Sequence, residues 1–187
     1  MPSDTKPSST RHRIINAAIE VVSEHGGPTF SLEEVAKKAG ISKGGLLYNF
    51  PTKAALIKGM IQQFVGELQA MMEKSEAQIA DDPYPNKLAR AMLVSLKDVI
   101  LQESKPKLGI VAAIGEDGSV LDPIRQFNEE LFARIEAESD NPNLARTVYF
   151  AVEGIRATRF FTLMPLSDQQ TAEQLDRMID ALKNDTL

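Results

Sequence analysis

Residues 40–51 read Gly-Ile-Ser-Lys-Gly-Gly-Leu-Leu-Tyr-Asn-Phe-Pro, and this stretch decides the fold of the first third of the chain. Gly40 accepts the positive φ of a tight turn, Ser42 is a good N-cap, and Pro51 prevents a helix from continuing. The stretch therefore predicts a short helix over about 43–49. Upstream, Ser31 and Glu34 have the spacing of a capping box that starts a helix ending at Gly40. Two short helices joined by a tight glycine turn predict a helix-turn-helix, whose second helix has the shape to enter the major groove of DNA.

Helical periodicity continues on both sides of this motif. Before it, Ile15, Ile19 and Val22 mark the buried stripe of a first helix. After it, Thr52 caps a longer helix. Residues 1–10 are polar, contain two prolines and show no periodicity, so we expect a flexible arm there.

Two longer stretches, Arg13–Ala18 and Phe30–Leu56, resemble the DNA-binding domain of the TetR family of bacterial transcriptional regulators. The positions that match the family's usual turn-and-recognition pattern are Gly40, Ile41, Ser42, Gly44, Leu46, Phe50 and Lys53. The positions that depart from it are Gly45, Leu47 and Asn49, and an aromatic side chain stands one place after Leu47, at Tyr48. Helical periodicity and turn residues predict an all-α fold of about nine helices. The resemblance implies that the arm at 1–10 is followed by a helix-turn-helix DNA-binding domain at 11–55 and a helical effector-binding and dimerisation domain at 56–187.

We expect the DNA contacts to come from the two helix starts and the short second helix. The candidates are Ser31, Ser42, Lys43, Gly44, Gly45, Leu47, Tyr48, Asn49 and Lys53. Lys43 can reach a phosphate or a guanine edge, although an isolated surface lysine is usually only solvated. The two glycines either let the backbone approach DNA closely or simply weaken the helix. Lys53 resembles the family's phosphate-contacting lysine, and the two serines can offer hydroxyl or backbone N–H groups to phosphates.

Several of these side chains have two interpretations. Tyr48 is a base-contacting residue or a half-buried packing residue with a solvated hydroxyl. Asn49 donates to a phosphate or caps the end of its helix. Arg11 and Arg13 follow the DNA backbone or minor groove, or they form an exposed charged face of the first helix.

Composition and charge limit the classes of function. The 187 residues are 43% hydrophobic and 25% charged, as in soluble globular proteins. The net charge is −5, yet residues 1–53 hold seven Lys or Arg against five Asp or Glu, so this part is locally basic. The chain contains no Cys, and its longest apolar stretch, Leu108–Ile114, is too short to span a membrane. These features predict a soluble, cytoplasmic protein without a thiolate site.

An enzyme is a weaker interpretation of this sequence. Both histidines, His12 and His25, fall in the first-helix region. The helical body therefore has neither a Ser-His-Asp arrangement nor a histidine metal site. Acidic residues near Asp122 lack the ligand spacing of a calcium loop. We expect no catalytic activity, no metal and no cofactor.

Beyond a break at residues 81–85, turn residues separate five predicted helices, and no strand alternation occurs. These helices are expected over residues 86–103, 107–115, 123–139, 142–164 and 171–185. The family resemblance implies that the last two pair with those of a second subunit. The candidates for this interface are Val148, Val152, Ile155, Leu175, Met178, Ile179 and Leu182. The alternative is that this stripe belongs to the chain's own core.

The resemblance also implies a small-molecule site in the body. The candidate lining residues are Met92, Leu96, Val99, Ile110, Ile114, Phe127, Leu131, Phe150 and Arg156. Most of these are equally compatible with plain core, and Arg156 with a salt bridge. The sequence favours a homodimeric repressor that an unidentified small-molecule effector releases from a palindromic double-stranded DNA operator. The alternatives are an activator, or a partner-binding helical protein without an effector.

Overall fold

The computed structural model describes residues 9–25, 30–102 and 118–184. Over these ranges the chain forms α-helices and one 3₁₀ turn, at Gly118–Leu121, and no strand. The helices are α1 (Thr10–His25), α2 (Leu32–Lys38), α3 (Lys43–Asn49), α4 (Lys53–Gln78), α5 (Lys87–Leu101), α6 (Asp122–Glu138), α7 (Pro142–Phe160) and α8 (Asp168–Lys183). The all-α prediction is confirmed, and the count of about nine is close. The helix expected over 107–115 and most of the arm at 1–10 lie outside the described residues.

The chain divides into two compact units. Among the described residues, the first unit comprises those up to Val65 and those from Gly118 to Gln126, and the second comprises the remainder. The boundary falls inside α4, between Val65 and Gly66. One continuous helix therefore belongs to both units.

The first unit has its own apolar core. Residues at helical spacing on α1, among them Ile14, Ala18 and Val22, are fully or almost fully buried. Phe50, which follows α3, is also buried, and its ring occupies the space beside Gly59 of α4. A Cβ at Gly59 would lie only 2.8 Å from Cε1 of Phe50, so this close approach requires glycine. The packing fixes the end of α3 against α4.

The core of the second unit is centred on α5, against which α7 and α8 pack. The buried residues Val148, Val152, Leu175, Ile179 and Leu182 belong to this core, and Ile155 and Met178 pack against it. The apolar stripe of the last two helices, predicted to face a second subunit, is thus covered by the chain itself. The alternative of an intrachain core matches the burial, because α5 supplies the apolar surface that the stripe needs.

The connection between α4 and α5 is held by a buried arginine. Arg90 of α5 is 1% exposed, and its guanidinium donates to both carboxylate oxygens of Asp82 at 2.6 and 2.7 Å. It also donates to the carbonyls of Pro85 at 2.8 Å and Tyr84 at 2.9 Å. Next to it, Asn86 takes a left-handed conformation, with φ 59°, and its amide donates to the carbonyl of Leu182 in α8 at 3.0 Å. These bonds tie the connection to the body of the second unit.

Candidate DNA-binding surface

The turn between α2 and α3 has the predicted chemistry at each end. Ser31 and Glu34 form the capping box, in which the Glu34 N–H donates to the Ser31 hydroxyl at 3.2 Å and the Ser31 N–H donates to the Glu34 carboxylate at 2.7 Å. Gly40 has φ 66°. The N–H of Ile41 reaches back to the carbonyl of Ala36 at 3.0 Å, which closes a Schellman-type end. The geometry between the two helices is therefore set by local hydrogen bonds.

α3 is anchored by one side and presents the other to solvent. Ser42 caps it by accepting the N–H of Gly45 at 3.1 Å, and Leu46 is fully buried. Leu47 is half-buried, whereas Tyr48 is 90% exposed. The packing interpretation of Tyr48 is therefore wrong, because its ring contacts too little of the chain. An exposed tyrosine on an anchored helix is available to contact a partner.

The first charged position of α3 is paired with α2. The ammonium of Lys43 donates to the carboxylate of Glu33, and both side chains remain more than half exposed. This hydrogen bond holds the pKa of the Glu33 carboxyl below its ordinary value. Arg11 donates to the carbonyl of Asn49 at 3.2 Å, and Arg13 donates to that of Ala39 at 3.0 Å. Both arginines of α1 thus reach the ends of the motif's helices.

The remaining candidates differ in how they are held. The ammonium of Lys53 lies 4.5 Å from the centroid of the Phe30 ring, and its side chain is half-buried. The side-chain amide of Asn49 donates to the carbonyl of Gly45 at 2.9 Å, so it bonds within α3. A Cβ at Gly44 would lie 3.9 Å from the Ser42 hydroxyl oxygen, and one at Gly45 would lie 3.4 Å from it. The packing of the chain alone does not require glycine at position 44.

The candidate pocket residues differ in burial. Met92, Leu96 and Leu131 are buried in the core of the second unit, and Phe127 packs against it. Val99 is half-buried on α5, while Ile110 and Ile114 lie outside the described residues. Phe150 is 64% exposed. That these residues line a small-molecule site stays a prediction.

Phe150 belongs to a group of three aromatic rings that the sequence did not single out. Its ring centroid lies 5.4 Å from that of Tyr149 and 6.1 Å from that of Phe132, and the other two rings are 4.7 Å apart. One turn further along α7, Arg156 donates to the Glu153 carboxylate at 2.7 Å. The signal in the sequence was the adjacent pair Tyr149 and Phe150, but the third ring comes from α6.

Over the ranges 9–25, 30–102 and 118–184, no group of three or more histidine or acidic side chains stands close enough to hold a metal ion. Within the same ranges, every helix is too short or too polar to cross a membrane.

A capped turn, a buried anchor and a solvent-facing second helix define a helix-turn-helix of the DNA-binding class. Residues 14–60 match the family model described as bacterial regulatory proteins, tetR family. Residues 86–183 match the model described as the Tetracyclin repressor-like C-terminal domain. The chain belongs to the TetR family of transcriptional regulators.

Curated relatives match over part of the chain. The HTH-type transcriptional regulator UidR of Escherichia coli K12 is 42% identical over 59 residues, which is 32% of this chain and 30% of the relative. RutR of the same organism is 38% identical over 58 residues, or 31% and 27% of the two chains. The matched part thus spans about a third of the length of these relatives.

Solved structures match over nearly the whole chain. The multidrug binding protein EbrR complexed with malachite green gives a TM-score of 0.70 at 23% identity, covering 92% of this chain and 98% of that one. A TetR family member from Streptomyces coelicolor A3 gives 0.68 at 22% identity, covering 91% and 98%. These similarities show the fold.

Proposed function

We propose that this chain is a sequence-specific DNA-binding transcriptional regulator in which α3 enters the major groove. The observation that carries the proposal is the 90% exposure of Tyr48 on a helix that Leu46 anchors from the opposite side. An exposed aromatic side chain beside Lys43 offers contact to a thymine methyl and charge to a phosphate or guanine edge. Family membership supports this class of function and argues against an enzyme. A regulator of bacterial genes acts in the cytoplasm, where its operator is.

The regulator acts as a homodimer on a palindromic operator. A second copy is supported by the exposed face of α7, where Phe150, Gly154 and Ala157 follow helical spacing and Phe161 continues it. Phe150 and Phe161 are 64% and 60% exposed, and none of these four residues is charged, while Arg146 and Glu153 flank them on the helix. Covering apolar surface of this kind with a partner lowers the free energy, because the surface is removed from water. Two recognition helices about 34–36 Å apart would then meet successive major grooves.

A substitution at Gly154 tests the dimer. Nothing lies within 4 Å of a Cβ at this position, so the chain itself accommodates a long side chain. Gly154→Arg should give a folded monomer by analytical ultracentrifugation, because the arginine blocks close approach of a second α7. Gly66→Arg is the matched control, since Gly66 is also helical and open, and it should stay dimeric. A monomeric wild type, or a dimeric Gly154→Arg, would contradict this interface.

The regulator is a repressor that a small molecule releases from its operator. The edge-to-face rings of Phe132 and Tyr149, with the Glu153 and Arg156 pair beside them, are suited to a ligand with an aromatic or apolar body and a polar group. EbrR, which shares the fold, is complexed with malachite green. Because α4 belongs to both units, it is the element through which a ligand in the second unit would bias the first.

The experiment that tests the DNA-binding function is selection of duplexes from a random pool by the purified full chain. We expect a palindromic sequence whose affinity for the protein falls steeply with salt. The absence of any enriched sequence, together with salt-insensitive binding to duplexes, would overturn the proposal. A ligand found in a later screen must obey linkage: the factor by which it weakens DNA binding equals the factor by which DNA weakens ligand binding.

A further inference from the structure

We propose that Glu33 sets the DNA specificity of α3 by binding the ammonium group of Lys43 in the free protein. The Glu33 carboxylate occupies the place of a DNA phosphate, and only the correct DNA sequence displaces this carboxylate from Lys43. The inference rests on the proposed DNA-binding function and assigns Glu33 a part in it. Glu33 would act through Lys43, so it is a positioning residue that need not touch DNA.

The pair joins the two helices of the motif at the end that carries the candidate contacts. Glu33 lies in the first turn of α2, and Lys43 is the first residue of α3. α3 has no acidic residue in its first turn, and Lys43 is its one charged side chain. The positive charge that α3 can offer to DNA, the ammonium of Lys43, is therefore bound to a carboxylate of the same motif.

The hydrogen bonds that cap the N-terminus of α2 do not involve Glu33. The capping box uses Glu34, whose carboxylate accepts the Ser31 N–H at 2.7 Å and the Ser31 hydroxyl at 2.9 Å. Glu33 and Glu34 both supply negative charge to the first turn, where the helix dipole favours it, so Glu34 still supplies it when Glu33 is neutralised. The side chains of Lys43 and Glu33 are 55% and 58% exposed, and ion pairs that are so exposed add little to folding. The main effect of the pair is that the ammonium of Lys43 is already bound to a carboxylate in the free protein.

A second lysine of the first unit shows the contrast. Lys38 contacts two carboxylates, those of Glu24 at 2.6 Å and Glu20 at 3.3 Å. Its ammonium stays paired if either carboxylate is removed. Lys43 has one carboxylate partner among the described residues, so removing the Glu33 charge releases it completely.

Release of Lys43 from Glu33 affects the non-specific and the specific DNA complex differently. In a non-specific complex the protein is held by phosphates alone, and for Lys43 the gain from a phosphate is offset by the loss of its bond to Glu33. In the specific complex a guanine edge or a well-placed phosphate bonds Lys43 and compensates for the broken pair. The carboxylate thus penalises wrong sequences more than the correct one, which is a common way to obtain specificity.

The test compares Glu33→Gln with Glu24→Gln, which removes the same charge from the same unit but leaves Lys38 paired with Glu20. The affinities of both full-length variants for the selected duplex and for a random duplex are measured over a range of salt concentrations. Glu33→Gln should tighten random-duplex binding several-fold more than selected-duplex binding. It should also steepen the salt dependence on random DNA by about 0.9 in the log–log slope, the value of one added phosphate contact. Glu24→Gln should change neither the ratio nor the slope.

A third variant separates release of Lys43 from simple loss of negative charge. In a Lys43→Met background, Glu33→Gln should no longer alter the ratio between the two duplexes. If Glu33→Gln matches Glu24→Gln, or if its effect persists without Lys43, the inference is wrong while DNA binding stands. If the wild type selects no sequence, the proposed function itself fails.

Discussion

Each unit of the molecule contains an arginine or lysine bound to a carboxylate, but the two pairs lie in opposite environments. In the first unit, Lys43 meets Glu33 with both side chains more than half exposed. In the second, Arg90 is 1% exposed and donates four hydrogen bonds, two of them to Asp82. Water can solvate the partners of the exposed pair when it opens, whereas opening the buried pair would leave a charge without solvent. The exposed pair is therefore exchangeable and suits binding, and the buried pair is fixed and suits folding.

The largest effect should come from breaking the buried pair. Arg90→Met leaves the carbonyls of Tyr84 and Pro85 without their donor, while Asp82 is 25% exposed and keeps contact with water, so we expect the free energy of unfolding to fall by about 2–4 kcal/mol. Chemical denaturation of the purified chain measures this. Arg134→Met is the control, because Arg134 bonds two carboxylates, of Glu76 and Glu138, but is 37% exposed. Its loss should cost about 1 kcal/mol or less. An equal or larger loss for Arg134→Met would show that burial is not what distinguishes the two units.

The second prediction concerns the core of the first unit. Gly59→Ala places a Cβ 2.8 Å from the Phe50 ring, which is buried and has little room to move. We expect a loss of stability of about 1–3 kcal/mol, and weaker binding to every duplex, because Phe50 sets the end of α3. Gly66→Ala, in the same helix with no atom within 4 Å, should instead raise stability by up to about 1 kcal/mol. Thermal unfolding of both variants measures the change in melting temperature. A change of the same sign in both variants would contradict the close packing of Phe50 against Gly59.

The two units also differ in how far the sequence determined them. The starts of α2 and α3 and the turn between them were predicted because Ser31, Gly40 and Ser42 act through hydrogen bonds to near neighbours. The same kind of signal existed at Ser167 and was missed. Its capping box with Gln170 starts α8 at Asp168, three residues before the predicted start.

Features made by distant residues could not be predicted. Periodicity gave α8 an apolar stripe at Leu175 and Leu182, but only the packing of α5 shows that the stripe faces the chain's own core. The left-handed conformation of Thr162, with φ 57°, ends α7 at Phe160 instead of near 164. The pairing of Lys43 with Glu33 spans a turn and depends on the angle between two helices.

The third prediction separates base contacts from phosphate contacts within the first unit. Tyr48→Ala should leave the free energy of unfolding within about 0.5 kcal/mol of the wild type, because the ring is exposed. It should relax the preference for the selected duplex by about 1–3 kcal/mol if a base contact is lost. Lys53→Ala should weaken all duplexes alike. Competition binding with single-base variants of the operator measures both, and uniform weakening by Tyr48→Ala would refute its base-contacting role.

The last prediction concerns Gly44, where stability and DNA binding should change in opposite directions. An alanine Cβ fits at this position, 3.9 Å from the Ser42 hydroxyl oxygen, and alanine is the better helix former. Gly44→Ala should therefore stabilise the chain by up to about 1 kcal/mol. If the bare backbone of α3 lies against DNA, the added methyl group should nevertheless weaken operator binding. A variant that is more stable and binds equally well would mean that glycine only weakens the helix. A variant that is more stable and binds worse would show that the first unit gives up folding stability at this position for contact with DNA.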